Sequence, residues 1–386
     1  MRVMTDQIAM MLSTDRRRRI CLVSCSKSKR DSPAQARDLY TSPIFKKSIA
    51  AASCLADRVF IVSAKHGLLA PTKIVAPYDQ TFVRMDRDAI DAWIEGVREQ
   101  LTLIEPFDEV IVLAGQTYVN AIRAALPSAV RVVTPLEGLG LGFRLRKLGE
   151  MARPSERAKI ATALYQAFFP EDGSTRTLSA ANFPTASLPS RGLYLFFDPS
   201  EPSHLVPRAP RLVRVGTHGV SAGSRSTLGS RLRTHVGPLH GAGTHRSSVF
   251  RLHVGAAYLS RDKAADDLPA WGKGSVADRV TRQTEADLEK KVSEYIRSLR
   301  IGIIPLDDES GPQSRRAMTE KALIGLFTES GILLELPSDS WLGHYSPKEE
   351  IRRSGLWNIQ HIQCQSDLHI ARQAIEIANG RPELPL

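Results

Sequence analysis

A short, continuous apolar run at 20–24 (ICLVS) is the first strong signal in the chain, and it predicts a buried strand. Runs of the same character return at 58–63 (RVFIVS), 109–114 (EVIVLA) and 130–134. Between them the apolar positions fall to helical spacing over about 42–56, 86–103 and 117–126, and a further helix is expected over 155–168. Strands alternating with helices of this length predict a parallel sheet covered on both faces. The reading is therefore an α/β domain over 20–170, preceded by a basic arm at 1–19 that ends in Arg16, Arg17, Arg18 and Arg19.

The pattern then breaks. Residues 171–190 are rich in Ser, Thr, Ala and Pro, lack apolar periodicity and read as a linker. A second domain over 191–386 opens with two runs, 193–197 and 212–216, expected to be paired strands, and a helix over 227–235. The alternation in 250–254 (FRLHV) predicts another strand. Leu288, Val292, Ile296 and Leu299 recur at helical spacing, ahead of a strand at 301–306 and a helix at about 313–327. No internal repeat is present.

At 386 residues the chain is long for one domain and comfortable for two. No apolar run reaches the ~18 residues of a membrane span. Asp6 and Gln7 fall where a secretory signal would need an unbroken apolar core, so a cytoplasmic protein is expected. Cys21, Cys25, Cys54 and Cys364 include no second close pair to complete a zinc site, and they read as free thiols.

Charge changes the picture more. The net charge of +11 points to a polyanionic partner, and its distribution sharpens this. From Arg208 to His253 there are eight arginines, five histidines and no Asp or Glu. A single-sign stretch suits a phosphate backbone, and arginine suits two-point phosphate contacts. Arg214, Arg225, Arg233 and Arg246 are the candidate DNA contacts there.

Four features of the second domain carry chemistry. Gly192-Leu193-Tyr194 opens one strand and Arg214-Val215-Gly216 closes the next. Arg231 and His235 lie four apart on one helix face, and Glu320 sits inside a later helix. Phosphodiester hydrolysis needs a metal-holding carboxylate, a cation for developing negative charge and a base for water. Glu320, Arg231 and Tyr194 can fill those roles, with His235 assisting proton transfer or orienting a phosphate.

At these residues, over about 192–358, the chain resembles the GIY-YIG nuclease superfamily. The resemblance implies a small mixed α/β domain, a Mg²⁺ or Mn²⁺ ion on Glu320, and a water-activating or water-positioning role for Tyr194. It matches Arg231 and His235 to the family's helical pair, and Asn358 to its late asparagine. Two departures stand out. Arg214 occupies the place of a usual tyrosine, and the connection between the triplets carries an extension over 198–210.

In the first domain, three polar clusters follow expected parallel strands: 24–29 (SCSKSK), 63–67 (SAKHG) and 115–117 (GQT). Ligand sites in open α/β sheets form at that edge. Ser42 before Pro43 and Gly67 are explained as a helix cap and a turn, whereas Ser24, Lys27, Lys65, His66, Asp79 and Gln116 are expected to form one crevice. The segments CSKSK, DLYTSPIF, SAKHGLL and PYDQT resemble an uncharacterised bacterial Rossmann-like domain. That domain is distantly similar to the YaaA family and to uracil-glycosylase-like modules. The resemblance implies handling of DNA or a modified base, with Lys27, Lys65 and His66 holding phosphate or base, Gln116 reading a base edge and Asp79 as the catalytic carboxylate.

Together these readings give a metal-dependent DNA endonuclease, of restriction or defence type, with an N-terminal recognition domain. Two alternatives stay open: a DNA glycosylase coupled to nicking of the abasic site, and a DNA-binding protein without catalysis. The sequence or modification read in the duplex and the oligomeric state are left open.

Overall fold

The computed structural model describes residues 18–104, 107–238 and 243–380, so the expected basic arm lies almost wholly outside the described residues. The chain forms two compact units, Met1–Glu156 and Arg157–Leu386.

Unit 1 is built on β1 (Arg19–Ser24), α1 (Pro43–Leu55), β2 (Arg58–Ser63), β3 (Gly67–Leu69), α2 (Arg87–Thr102), β4 (Glu109–Leu113), α3 (Gln116–Ala125) and β5 (Arg131–Val133). The sheet runs β3-β2-β1-β4-β5. Four strands are parallel, and β3 folds back antiparallel on β2. Because alternate side chains point to opposite faces, β1 splits its apolar run. Ile20 and Leu22 join Trp93, Val97, Val119 and Ile122, whereas Cys21 and Val23 join Phe45, Ala51 and Ala52. The α/β expectation holds, but the order of the parallel strands (second, first, third, fourth) is the flavodoxin-like winding and not the Rossmann dinucleotide-binding order. Helix α1 covers one face while α2 and α3 cover the other, so the chain reverses direction between β1 and β4 and opens a crevice at their carboxyl ends. Ser42 caps α1 through Phe45 N, at 3.3 Å, and Gly67 turns the chain at φ +65°.

A helix α4 (Leu141–Phe168) leads into unit 2, which continues with β6 (Leu178–Ser179), β7 (Gly192–Pro202), β8 (Pro210–Gly216), α5 (Leu228–Val236), α6 (Val249–Asp262), α7 (Arg279–Ser298), β9 (Arg300–Pro305), α8 (Arg315–Thr328) and α9 (Leu368–Ala378). The sheet is antiparallel in the order β8-β7-β9-β6. The stretch expected as a linker thus contributes β6 to the sheet edge, pairing Leu178 with Ile301. The extension between the triplets lengthens β7 to Pro202, which pairs with Pro210.

Residues 250–254, expected as a strand, lie in helix α6. Ser248 caps that helix by accepting from Arg251 N, and Phe250, Val254 and Ala257 bury one face. Arg251 and His253 are buried too, so the alternation in FRLHV marks no solvent face. One core cluster gathers Tyr165, Phe168, Leu195, Phe197 and Phe327, and the other gathers Tyr194, Phe196, Phe250, Trp341 and Trp357. The buried Arg157 side chain takes up carbonyls in the last turn of α8 and just past it, Leu326 O at 2.9 Å and Ile332 O at 3.0 Å. Strand β8 is the other sheet edge, and its backbone is also engaged. Leu212 N donates to Tyr165 Oη at 2.7 Å, and Trp357 N donates to Val213 O at 2.7 Å. The Asn358 amide accepts from Val215 N at 3.1 Å and donates to Val215 O at 2.8 Å.

Candidate active site

Tyr194 leaves β7 opposite Gly216 of β8 and Ile303 of β9. A Cβ at 216 would overlap the Tyr194 phenol, so the glycine of the second triplet is what lets the ring lie across the strand. The phenol reaches His235 on α5, Oη to Nε2 2.7 Å, and His235 Nδ1 meets Ser248 Oγ at 2.7 Å. With both ring nitrogens engaged and no exposed surface, the imidazole is held in one orientation. Burial first, then the charges of Arg214, Arg231 and Arg251, push its pKa well below the usual value, so the ring is neutral at pH 7.

Arg214 stands where the second phenol was expected. Its guanidinium lies over the Phe250 ring at 4.9 Å and donates to Trp357 O at 2.5 Å. Arg231, on the first turn of α5, stays partly exposed and donates to Ser247 O at 3.3 Å. Glu320 is partly exposed on α8. Burial raises its pKa, opposed by Arg214, by the backbone N–H of Thr217 and by Arg231. Helix α8 packs on β7 and β8, and α5 packs on β7, which brings the elements that carry the two triplets, Arg231, His235 and Glu320 together. Asn358 does not project into it as a free amide, since both ends of its side chain are spent on Val215.

Much of the basic stretch is internal. Arg211 pairs with Glu201 at 3.1 Å, Arg251 with Glu289 at 2.5 Å, and His245 with Glu289 at 2.9 Å. Arg246 makes a two-point pair with Glu285, at 2.5 and 2.8 Å. The single-sign appearance comes from acids supplied by distant segments. Arg225 and Arg233 remain exposed, although Arg233 also donates to Thr185 Oγ1. Arg233, Arg246 and Arg282 line an open cavity of about 630 Å³ that also carries Glu285 and Glu289.

Among the described residues, no group of three or more His, Cys, Asp or Glu side chains is placed to hold a metal. No helix there is long and apolar enough to cross a membrane. The cysteines are free, and Cys25 Sγ meets Tyr118 Oη at 3.2 Å.

In unit 1, the expected crevice residues have different partners. Lys65 and His66 follow β2, where both backbone N–H groups donate to Ser63 Oγ, at 3.1 and 3.0 Å. Tyr78 Oη bonds Ser63 Oγ at 2.7 Å and Tyr40 Oη at 2.8 Å. Around the Tyr78 ring lie Lys29 Nζ at 4.3 Å, Lys65 Nζ at 5.8 Å and the edge of His66 at 5.2 Å. Gln116 is tied instead to Asn120 and Glu137, both at 3.0 Å. Lys27 is exposed, and the exposed Asp79 pairs with Arg84 at 3.2 Å. Tyr40, Tyr78, Ser63 and Lys29 were missed as site residues, although all lie in the polar segments that mark this domain. A cavity of about 40 Å³ lies at the ends of β1 and β4, lined by Ser24, Cys25, Ser26, Gly115 and Arg144 among others, with room for one or a few waters.

The GIY-YIG domain model matches residues 157–377, more than half of the chain, and the protein belongs to that family. Residues 20–150 match a family of unknown function, DUF6884. The uncharacterised protein YfjM of Bacillus subtilis (strain 168) is 28% identical over 141 residues, which cover 34% of this chain and 93% of that protein. No solved structure matches.

Proposed function

We propose that unit 2 cleaves DNA by metal-dependent phosphodiester hydrolysis, in a restriction or defence setting. The observation that carries this reading is the packing of α8, which bears Glu320, on β7 and β8, with Tyr194 of β7 bonded to His235 of α5 at 2.7 Å. A partly exposed oxygen ligand whose ionised form is disfavoured by burial fits a divalent cation, and Mg²⁺ commonly takes one or two protein carboxylates with waters and substrate phosphate as its other ligands. Glu320 would hold Mg²⁺ or Mn²⁺, which supplies Lewis-acid polarisation of the scissile phosphate when bound. Arg231 and Arg214 stabilise charge developing on the phosphoryl oxygens. Tyr194, locked to the neutral His235, handles protons at the end of β7. Arg225 and Arg233 contact the DNA backbone beside the site.

Unit 1 is the recognition element in this reading, supported by the basic and aromatic groups Lys29, Lys65, His66 and Tyr78 gathered past β1 and β2. Base excision has less support, because Asp79 is engaged by Arg84 at an exposed position.

The test is cleavage of supercoiled and linear duplex DNA by the full chain in Mg²⁺, in Mn²⁺ and in chelator. Metal-dependent scission that falls about 10²–10³-fold in Arg231→Ala is expected. Binding without scission in any metal would leave the DNA-binding alternative.

A further inference from the structure

His218 lies two residues past the second triplet and is 4% exposed. Its Nδ1 faces the Ser226 carbonyl at 3.0 Å. A carbonyl only accepts, so Nδ1 carries the proton and Nε2 presents a lone pair in the neutral ring. That lone pair is buried and has no hydrogen-bond partner among the described residues. The Arg316 guanidinium is fully buried beside it. Its Nε donates to Asp308 and one terminal nitrogen donates to His218 O at 2.7 Å, while Nη2 is likewise buried and without a hydrogen-bond partner among the described residues. A buried acceptor and a buried donor joined through one backbone carbonyl are complementary to a molecule that both donates and accepts. Water is the smallest such molecule, and orphaned buried groups commonly mark one.

Two features of the chain place this pair near the proposed metal carboxylate. His218 lies two residues past β8, the strand on which α8 packs. Arg316 precedes Glu320 by four residues on α8, and so lies one turn away on the same face. Arg231 acts electrostatically on both His218 and Glu320.

We infer that His218 Nε2 and Arg316 Nη2 hold the attacking water of the proposed hydrolysis, and that His218 supplies the acceptor lost where Arg214 replaces the second phenol. This inference rests on the nuclease reading. In the step, the water oxygen bonds to phosphorus as the ester P–O bond opposite breaks. The water's proton passes to Nε2, the leaving alkoxide takes a proton from solvent, and the imidazolium returns its own to solvent. Arg316 keeps the water's lone pairs directed while remaining charged.

The ring's surroundings bear on its basicity. Burial, Arg316, Arg191 and Arg231 hold its pKa down to about 4, against the favourable Ser226 carbonyl. DNA phosphates entering the site offset those arginine charges and raise its basicity where it is needed.

The experiment measures kcat, KM and DNA affinity of the full chain in Mg²⁺ for wild type, His218→Ala, His218→Gln and Arg316→Lys, with melting temperatures alongside. Expected is a 10²–10⁴-fold loss of kcat in both His218 variants with KM and affinity within about threefold, and partial recovery of His218→Ala by free imidazole. Arg316→Lys is expected to lose kcat by a smaller factor. Wild-type kcat in either His218 variant overturns the inference. If the His218 variants unfold, a high-resolution crystal structure of the wild type decides, because an ordered water within hydrogen-bond reach of both Nε2 and Nη2 is required and its absence overturns the inference. A wild type that cleaves no DNA removes the nuclease reading itself, and an ordered water found in that protein is then structural only, which equally ends the catalytic assignment.

Discussion

Tyr194 and His235, 41 residues apart in the chain, meet through a 2.7 Å hydrogen bond in the interior of unit 2. The bond closes β7 onto α5 and joins the first triplet of the family signature to its helical pair. Tyr194→Phe is expected to strand His235 Nε2 as a buried unpaired group, at about 1–3 kcal/mol in denaturant unfolding. It should also slow DNA cleavage. A variant as stable as wild type would show that the phenol bond contributes nothing to the fold.

Gly216→Ala tests the close approach that makes this bond possible. The added methyl would collide with a ring that His235 keeps from swinging away, so about 1–3 kcal/mol of overpacking is expected, together with lost cleavage. Thermal melting of the purified variant reads the first effect and a nicking assay the second.

Glu320 gives a prediction with a definite sign. Its folded pKa is raised, so its favourable contribution is present below the unfolded value of roughly 4.3 and is lost as pH rises through the folded value. Glu320→Gln should accordingly be at least as stable as wild type at pH 7 without metal, with the difference closing as pH falls below that unfolded value. Millimolar Mg²⁺ should raise the melting temperature of wild type and not of the variant, while DNA cleavage disappears in Glu320→Gln and DNA binding largely survives.

Histidines act in the opposite direction. His218 and His253 are each held down to about 4, in both cases by burial first. A depressed folded pKa leaves stability intact above the unfolded value of roughly 6.5 and removes it as pH falls toward 4. Melting temperature should decline across that window, and His253→Gln should flatten the decline. An unchanged slope in the variant would remove His253 from the account.

The arginines divide into two groups by partner. Arg225→Ala should lower the salt dependence of duplex DNA binding by roughly 0.9 in log–log slope, with little effect on folding. Arg251→Ala removes the guanidinium from Glu289, leaving it His245 as its remaining buried partner, and should cost up to about 3–5 kcal/mol. Salt titrations of affinity and denaturation curves of the two variants separate the groups.

That division explains what the sequence did and did not disclose. The parallel sheet of unit 1 was legible because its central strands are buried on both faces and read as unbroken apolar runs, as in Val110–Leu113. The order of its strands was not, since spacing carries no information on which strand lies beside β1. The expectation that Tyr194, Arg231, His235 and Glu320 form one set came from the family pattern, and of these Tyr194 and His235 meet directly. The pairing of Arg246 with Glu285, 39 residues on, was hidden because charge counted along a segment omits acids brought by another helix. FRLHV misled for a related reason: two of its polar residues are buried, and the cap at Ser248 lies just outside the alternating run. His218 gave no signal at all, because an unspent lone pair is a property of packing.

The treatment of strand β8 carries one more consequence. An edge strand normally offers a row of free amides and carbonyls to any passing extended chain. Here Asn358 imitates a neighbouring peptide unit on Val215, while Trp357 and Tyr165 occupy Val213 and Leu212. The side of the sheet beside the second triplet is thus closed to strand addition, which guards a concentrated solution of this protein against edge-to-edge polymerisation.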